Sequence, residues 1–327
     1  MMPQSLLPPK PELLICFAHV AYPMAAIFAK RNSDLPHFQV WTVDDLIARL
    51  PEADVLVVSG FWRNQLLDNA PRLKFIQAIG AGVDQFPRDE LQRRGIRLAS
   101  ARGVNRNAVS EHAIATILAF ARQLHTGRDN QRQHLWRGMI SDVPKREDEL
   151  GGKTLLIVGL GAIGARLAKL AKAFDMRVIA TKRTPDAAQS LADEVYSPDH
   201  LLELLPQADF VALTCPLTPE TQDLINANAL GRMKKSAYLI NMARGRCVDE
   251  AALLSALRDG ALAGAALDCF WDEPLPKDSP FWEMPQVVVT PHTAGETQRY
   301  EENALDILLE NLERLWQGQS ELRNQVV

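Results

Sequence analysis

Short apolar runs alternate with amphipathic stretches along nearly the whole chain. In the first hundred residues LLICFA (13–18), FQVWT (38–42), DVLVVS (54–59), KFIQAI (74–79) and IRLAS (96–100) read as strands. Helical or polar segments such as VDDLIARL and DELQRRG separate them. Short, largely apolar strands between amphipathic helices belong to parallel sheets covered on both faces. A second series begins at TLLIVGL (154–160) and continues with RVIAT (177–181), DFVALT (209–214), AYLINM (237–242), AGAALD (263–268) and QVVVTP (286–291). Between the two series AVSEHAIATILAFARQL, Ala108 to Leu124, predicts a long helix, and the charged stretch from Thr126 to Leu150 a crossing connection. Near the end Leu305, Leu308, Leu309, Leu312 and Leu315 recur at helical spacing within 301–316. The pattern predicts an α/β protein of two doubly wound domains with parallel sheets, and a ligand cleft between them.

Length and charge narrow the class. A chain of 327 residues accommodates two domains with cores of their own. Its net charge of −4 carries no block of like charges, which speaks against a nucleic-acid footprint. The four cysteines, Cys16, Cys215, Cys247 and Cys269, form no CxxC pair and sit mostly in apolar runs. They read as reduced core thiols of a cytoplasmic protein, with no disulfide frame and no metal site. The run LLICFAHVAYPMAAIFA (13–29) follows Lys10 and has the outline of a signal peptide. His19 and Pro23 interrupt it, and LLICFA reads better as a first buried strand. No other segment is long and apolar enough to span a bilayer, so no membrane partner is expected.

The stretch GLGAIGARLAKLAKAFDMRVIATKRT opens the second domain's chemistry. Gly159, Gly161 and Gly164 satisfy GxGxxG: one glycine for a tight turn, one for close approach to a pyrophosphate, one for helix packing. A helix beginning near Ala162 aims free N–H groups at that pyrophosphate. The motif alone also fits an ordinary strand–turn–helix, but a buried strand before it and a helix and strand after it favour the dinucleotide. At the end of the second strand, where an acid usually binds the adenine ribose, the chain reads Lys182-Arg183-Thr184. Cations there attract a 2′-phosphate, so NADP(H) is the expected cofactor, with NAD(H) as the fallback. The competing reading is a solvated basic loop with no bearing on the cofactor.

Three later segments supply reactive groups. Arg244 follows a strand in NMARG, Glu273 lies in WDEPLP, and His292 follows another strand in VVVTPHTAG. Strand ends in open α/β sheets face the ligand crevice. Reduction of a 2-oxo acid needs a guanidinium for the carboxylate and carbonyl, a histidine to give the oxygen its proton, and a carboxylate to orient the imidazole and favour its charged form. Singly, each residue has a dull structural explanation; together they make a set.

NMARGRCVDEAALLSALRDGALAGAALDCFWDEPLP resembles the signature of the D-isomer-specific 2-hydroxyacid dehydrogenases almost position by position. The likeness continues through GAGVD (80–84), NRNAVSEH (105–112), TCPLTPET (214–221) and TPHTAG (290–295). It implies a Rossmann-type dinucleotide domain, 102–291, inserted into a flavodoxin-like substrate domain made of 1–101 and 292–327. It implies Arg244, Glu273 and His292 as the catalytic set, and Ala81, Gly82, Asn105 and Arg244 as substrate contacts. For the cofactor it implies Gly159, Gly161, Ala162, Ile163, Gly164, Cys215, Pro216, Thr221, Met242, Ala243, His292 and Gly295. Asp268 matches the family aspartate at the nicotinamide carboxamide. Members are usually dimers joined through the dinucleotide domains, so a homodimer is expected, with the 108–124 helix and the segment after it at the interface. Lys182 departs from the usual acid and resembles the NADPH-preferring glyoxylate and hydroxypyruvate reductases. Cys269 stands where valine is common, a swap that keeps size and apolarity.

Two other classes compete. A dinucleotide-sensing regulator of corepressor type shares the fold, and NAD-dependent relatives act on formate, phosphonate or phosphoglycerate. Formate enzymes carry a Gln–His pair in place of Glu273 and His292, and many phosphoglycerate enzymes carry regulatory domains after the last helix. The expected activity is therefore reduction of a small 2-oxo acid to the D-2-hydroxy acid.

Overall fold

The computed structural model describes residues 6–31, 34–185 and 192–327. The chain divides into two units, 1–105 with 297–327 and 106–296.

In the first unit five strands alternate with short helices: β1 (Ile15–Ala18), α1 (Met24–Ala29), β2 (His37–Val40), α2 (Val43–Arg49), β3 (Val55–Val58), β4 (Phe75–Ala78), α3 (Arg88–Arg93) and β5 (Arg97–Ala99). All pairings are parallel, in the order β2-β1-β3-β4-β5. That is the flavodoxin-like order. Side chains alternate between two cores. Ile15, Phe17, Val55, Val57 and Phe75 face one side, where the final helix (300–316) lays Leu305, Leu308, Leu312 and Leu315 against them. Cys16, Ala18, Leu56, Val58 and Ile76 face the other, against Leu46 and Leu91. The apolar run 13–29 is thus β1 and α1, with its strand fully buried. Burial pushes the Cys16 thiol up to about 12.

The second unit opens with α4 (Arg106–Ala121) and α5 (Leu124–Arg132), then winds β6 (Thr154–Val158), α6 (Ala162–Lys172), β7 (Arg177–Thr181), β8 (Glu194–Tyr196), α7 (Leu201–Leu204), β9 (Phe210–Leu213), α8 (Ala227–Arg232), β10 (Tyr238–Asn241), α9 (Glu250–Arg258), β11 (Gly264–Leu267) and β12 (Val287–Val289). Seven parallel strands stand in the order β12-β11-β10-β9-β6-β7-β8. Renumbered from β6, this is the Rossmann 3-2-1-4-5-6 order with one strand added, and its direction reverses between β6 and β9. Strands β6, β9 and β11 are buried along their whole length. One core packs α8 and α9 on one face, and the other packs α4 and α6 on the opposite face.

Two expectations need correction. The long helix ends at Ala121, not Leu124, because Gln123 turns left-handed at φ 49° and a new helix, α5, starts beyond it. The 126–150 stretch is therefore partly helical, and α5 buries none of its residues. The two units divide at 105/106 and 296/297, within five residues of the expected 101/102 and 291/292. His292 accordingly lies in the second unit, because the Asp268 side chain accepts the backbone N–H groups of Thr293 and Ala294 and ties that loop to β11. Sequence reading also missed β8, a three-residue edge strand with no apolar run of its own. Among the described residues no helix is long and apolar enough to cross a membrane.

Candidate active site

The candidate site residues of the second unit lie on segments that follow the carboxyl ends of its strands. The glycine turn follows β6, where the strand order reverses. Gly159 has φ 101°, and a Cβ there would come 2.7 Å from the backbone of Cys215. Only glycine permits this turn and this approach. A Cβ on Gly164 would meet the Gly159 carbonyl oxygen at 2.6 Å, so α6 rests directly on the turn. Thr214 locks it by donating its hydroxyl to the same carbonyl at 2.8 Å. Gly161 differs, because a Cβ would meet nothing within 4 Å. It caps α6 beside exposed Ala162, with no side-chain oxygen satisfying the helix N–H groups. An open backbone cradle at a helix N-terminus fits a pyrophosphate; Ile163, half-buried on the first turn, packs against the core beneath it.

Lys182 and the exposed Arg183 and Thr184 follow β7, next to β6 in the sheet. The Lys182 N–H donates to the Tyr196 carbonyl at 2.9 Å, so β8 holds the end of β7 in place. Among the described residues neither cationic side chain has a hydrogen-bond or ion-pair partner. Glu220, beyond β9, is held below the usual carboxylate range by a hydrogen bond from Thr218 and also by the charge of Arg183.

Beyond β9 the chain turns through Cys215 and exposed Pro216. Thr221 closes this turn, donating its hydroxyl to the Pro216 carbonyl at 2.7 Å and accepting the Thr218 N–H at 2.7 Å. The Cys215 thiol is pushed up by a hydrogen bond with Cys247 and by burial, and burial likewise raises Cys269. All four cysteines are free and buried.

Beyond β10 lie buried Met242 and Ala243, then Arg244. Asn241, 1% exposed, clamps this turn: its amide donates to the Arg244 carbonyl at 3.0 Å, and its oxygen accepts the Ala243 N–H at 3.0 Å. The guanidinium donates to the Ala243 carbonyl at 2.8 Å, leaving its other N–H groups for a ligand. A Cβ on Gly245 would sit 2.0 Å from the carbonyl carbon of Phe270. That contact presses the Arg244 turn against the segment leading to Glu273. Asn241 and Gly245 were not singled out by sequence; only their place beside Arg244 in NMARG signalled them.

Glu273 accepts the Phe270 N–H through Oε1 at 3.0 Å and meets His292 Nδ1 through Oε2 at 2.8 Å. The carboxylate can only accept, so Nδ1–H donates and Nε2 is the ring nitrogen not engaged by Glu273. The two side chains are 37 and 45% exposed, open to a ligand. His292 holds φ 55°, a backbone conformation costing a non-glycine residue on the order of 1 kcal/mol. Asp268, 3% exposed at the end of β11, compensates: it accepts the Thr290 hydroxyl at 2.6 Å, the Thr293 N–H at 3.0 Å and the Ala294 N–H at 3.1 Å. Gly295 closes the loop. The structure thus groups Arg244, Asp268, Glu273 and His292 at the ends of adjacent strands. Ala81 and Gly82 lie beyond β4 of the first unit, Ala81 exposed, and Asn105 is that unit's last residue before α4. Among the described residues no group of three or more His, Cys, Asp or Glu side chains could hold a metal ion.

Fold and site together define a dinucleotide-binding α/β protein with an Arg–Glu–His cluster. The sequence profile described as "D-isomer specific 2-hydroxyacid dehydrogenase, NAD binding domain" matches residues 114–294. The glyoxylate reductase of Pyrococcus furiosus is 38% identical over 276 residues, 82% of this chain and 81% of that protein. The D-3-phosphoglycerate dehydrogenase of Mycobacterium tuberculosis is 38% identical over 266 residues, 80% of this chain, and the chain spans about half (49%) of its length. The crystal structure of the TT0316 protein of Thermus thermophilus superposes with a TM-score of 0.82 at 34% identity, covering 96% of this chain and 100% of that one. The chain belongs to the D-isomer-specific 2-hydroxyacid dehydrogenase family.

Replacing Gly245 by alanine is expected to lower the unfolding free energy by about 1–3 kcal/mol, the usual cost of overpacking. Urea denaturation measures it. An alanine variant as stable as the parent would show that the Arg244 turn does not press on Phe270.

Proposed function

We propose that the protein is an NADPH-dependent reductase of small 2-oxo acids, of glyoxylate or hydroxypyruvate type, yielding the D-2-hydroxy acid. The observation that carries this reading is the Glu273–His292 pair at 2.8 Å, formed through Nδ1, past the same ends of the strands as Arg244. When bound, the reduced nicotinamide supplies a hydride to the carbonyl carbon. The Arg244 guanidinium takes the substrate carboxylate and polarises the carbonyl by charge-assisted hydrogen bonds. His292 gives its Nε2 proton to the carbonyl oxygen, and Glu273 fixes the ring and balances the charge of the imidazolium. Asp268, already holding the loop, lies beside His292 at the position assigned to the nicotinamide carboxamide. In the first unit the Ala81–Gly82 turn at a strand's carboxyl end is assigned to a substrate carboxylate, with Asn105 as a further polar contact. Cys215, Pro216, Thr221, Met242, Ala243 and Gly295 are assigned to the cofactor path.

Lys182 and Arg183 support the choice of NADPH. Their cations, unpaired among the described residues, stand where an acid would repel a 2′-phosphate, one strand from the pyrophosphate cradle. The glyoxylate reductase of P. furiosus, aligned over most of both chains, supports the substrate class. Four free, buried thiols fit a reducing cytoplasmic compartment. A homodimer is also proposed, supported by the segment after α5, where Trp136 and Met139 are 97 and 101% exposed and Val143 66%. Large apolar side chains concentrated on one segment favour a protein partner.

Three outcomes are expected. In steady-state assays with glyoxylate and hydroxypyruvate, kcat/KM should favour NADPH over NADH by at least about tenfold, roughly 1.4 kcal/mol. Equal use of both would make the Lys182 loop merely solvated; dinucleotide binding without turnover would favour the regulatory reading. His292→Ala should lower kcat by about 10²–10⁴-fold with little change in KM, and Arg244→Ala should raise KM while lowering kcat. An undiminished kcat in His292→Ala sinks the proton-donor assignment. Sedimentation velocity should give a dimer for the parent and a monomer for a Trp136→Ser, Met139→Ser variant; a monomeric parent would refute the assembly.

A further inference from the structure

Among the side chains of the second unit that the mechanism does not use, His112 touches the loop that carries His292. His112 lies half-buried on α4, with Nε2 at 3.2 Å from the Thr290 hydroxyl. That hydroxyl is also 2.6 Å from Asp268 Oδ1. Oδ1 accepts the Thr293 N–H at 3.0 Å as well. Thr290 has one hydroxyl proton, and the shorter contact to an acceptor-only oxygen claims it. His112 must then donate, from a protonated Nε2, into the oxygen lone pair of Thr290. A chain of donors results, running His112 to Thr290 to Asp268.

We infer that His112 is a positioning residue for the His292 loop. His292 sits in a left-handed backbone conformation, so its placement depends on the groups that hold Thr290, Thr293 and Ala294. Asp268 does so from β11. His112 adds a side-chain link between α4 and this loop, and it does so at Thr290, where β12 ends and the loop begins. Because α4 is packed on α6, the helix under the glycine turn, the link ties the His292 loop to the helix layer beneath the cofactor cradle. Donation from Nε2 also polarises the Thr290 hydroxyl toward Asp268, which strengthens the shorter bond in a cooperative chain. His112 touches no reacting atom in this account and acts through Thr290. The inference rests on His292 being the proton donor of the proposed reaction.

Two measurements test it, the first of them independent of that reaction. In the resting protein with ¹⁵N-labelled histidine, the His112 ring should show a protonated Nε2; an unprotonated Nε2 overturns the link. In the second, His112→Ala and Thr290→Val are made singly and together and assayed for kcat with NADPH and glyoxylate. Each single variant should lose about tenfold in kcat, and the double variant should lose no more than the worse single, because both cut one chain. Thr290→Ser, which keeps the hydroxyl, and His112→Gln, which keeps an N–H donor, should recover most of the loss. Wild-type kcat in His112→Ala overturns the positioning role, as do single losses that multiply in the double variant. A loss that tracks only a fall in melting temperature, with no rescue by Thr290→Ser, overturns it too. Absence of turnover in the wild type would refute the proposed reaction instead, and the ring resonance would still decide the link.

Discussion

The second unit is organised by the burial of its parallel strands on both faces, because a charged group cannot sit along β6, β9 or β11 without losing its water. Polar chemistry is forced to the strand ends, and the order β12-β11-β10-β9-β6-β7-β8 decides which ends are neighbours. Residues far apart in sequence thus come to one edge: the turn at Gly159, Arg244 and His292. The reversal of strand order between β6 and β9 opens the crevice, and the glycine turn stands at that point.

Within that edge, hydrogen bonds to backbone do more than ion pairs to fix the geometry. Asp268 is almost fully buried, and its partners are one hydroxyl and two backbone N–H groups. A carboxylate satisfied in this way holds its loop in place with no cation among the described residues paired to it. Asn241 does the same for the Arg244 turn with a neutral amide. Glu273 and His292, by contrast, stay partly open to water.

The glycines show the same division between packing and chemistry. Gly159, Gly164 and Gly245 are places where a single added carbon would collide with backbone, and each collision lies between two segments that carry site residues. Gly161 faces open space and leaves its backbone accessible. One short motif therefore holds two kinds of glycine, and sequence spacing alone does not tell which is which.

Both parallel sheets, the glycine turn between β6 and α6, and the places of Arg244 and His292 just past strands were legible in the sequence. Apolar runs such as TLLIVGL and DFVALT read as buried strands, and Arg244 and His292 lie just past runs of this kind. Local signals also placed Lys182 after its strand. What stayed illegible depends on contacts between distant segments. The break at Gln123 is a left-handed residue inside an apolar helical pattern, β8 exists because β7 offers it an edge, and His292 belongs with the second unit because Asp268 holds its loop. His112 meets Thr290 across 178 positions, and Gly245 meets Phe270 with α9 and β11 between them in the chain. Periodicity and residue type report what each segment buries; which polar atom meets which is fixed only when the strands take their order in the sheet.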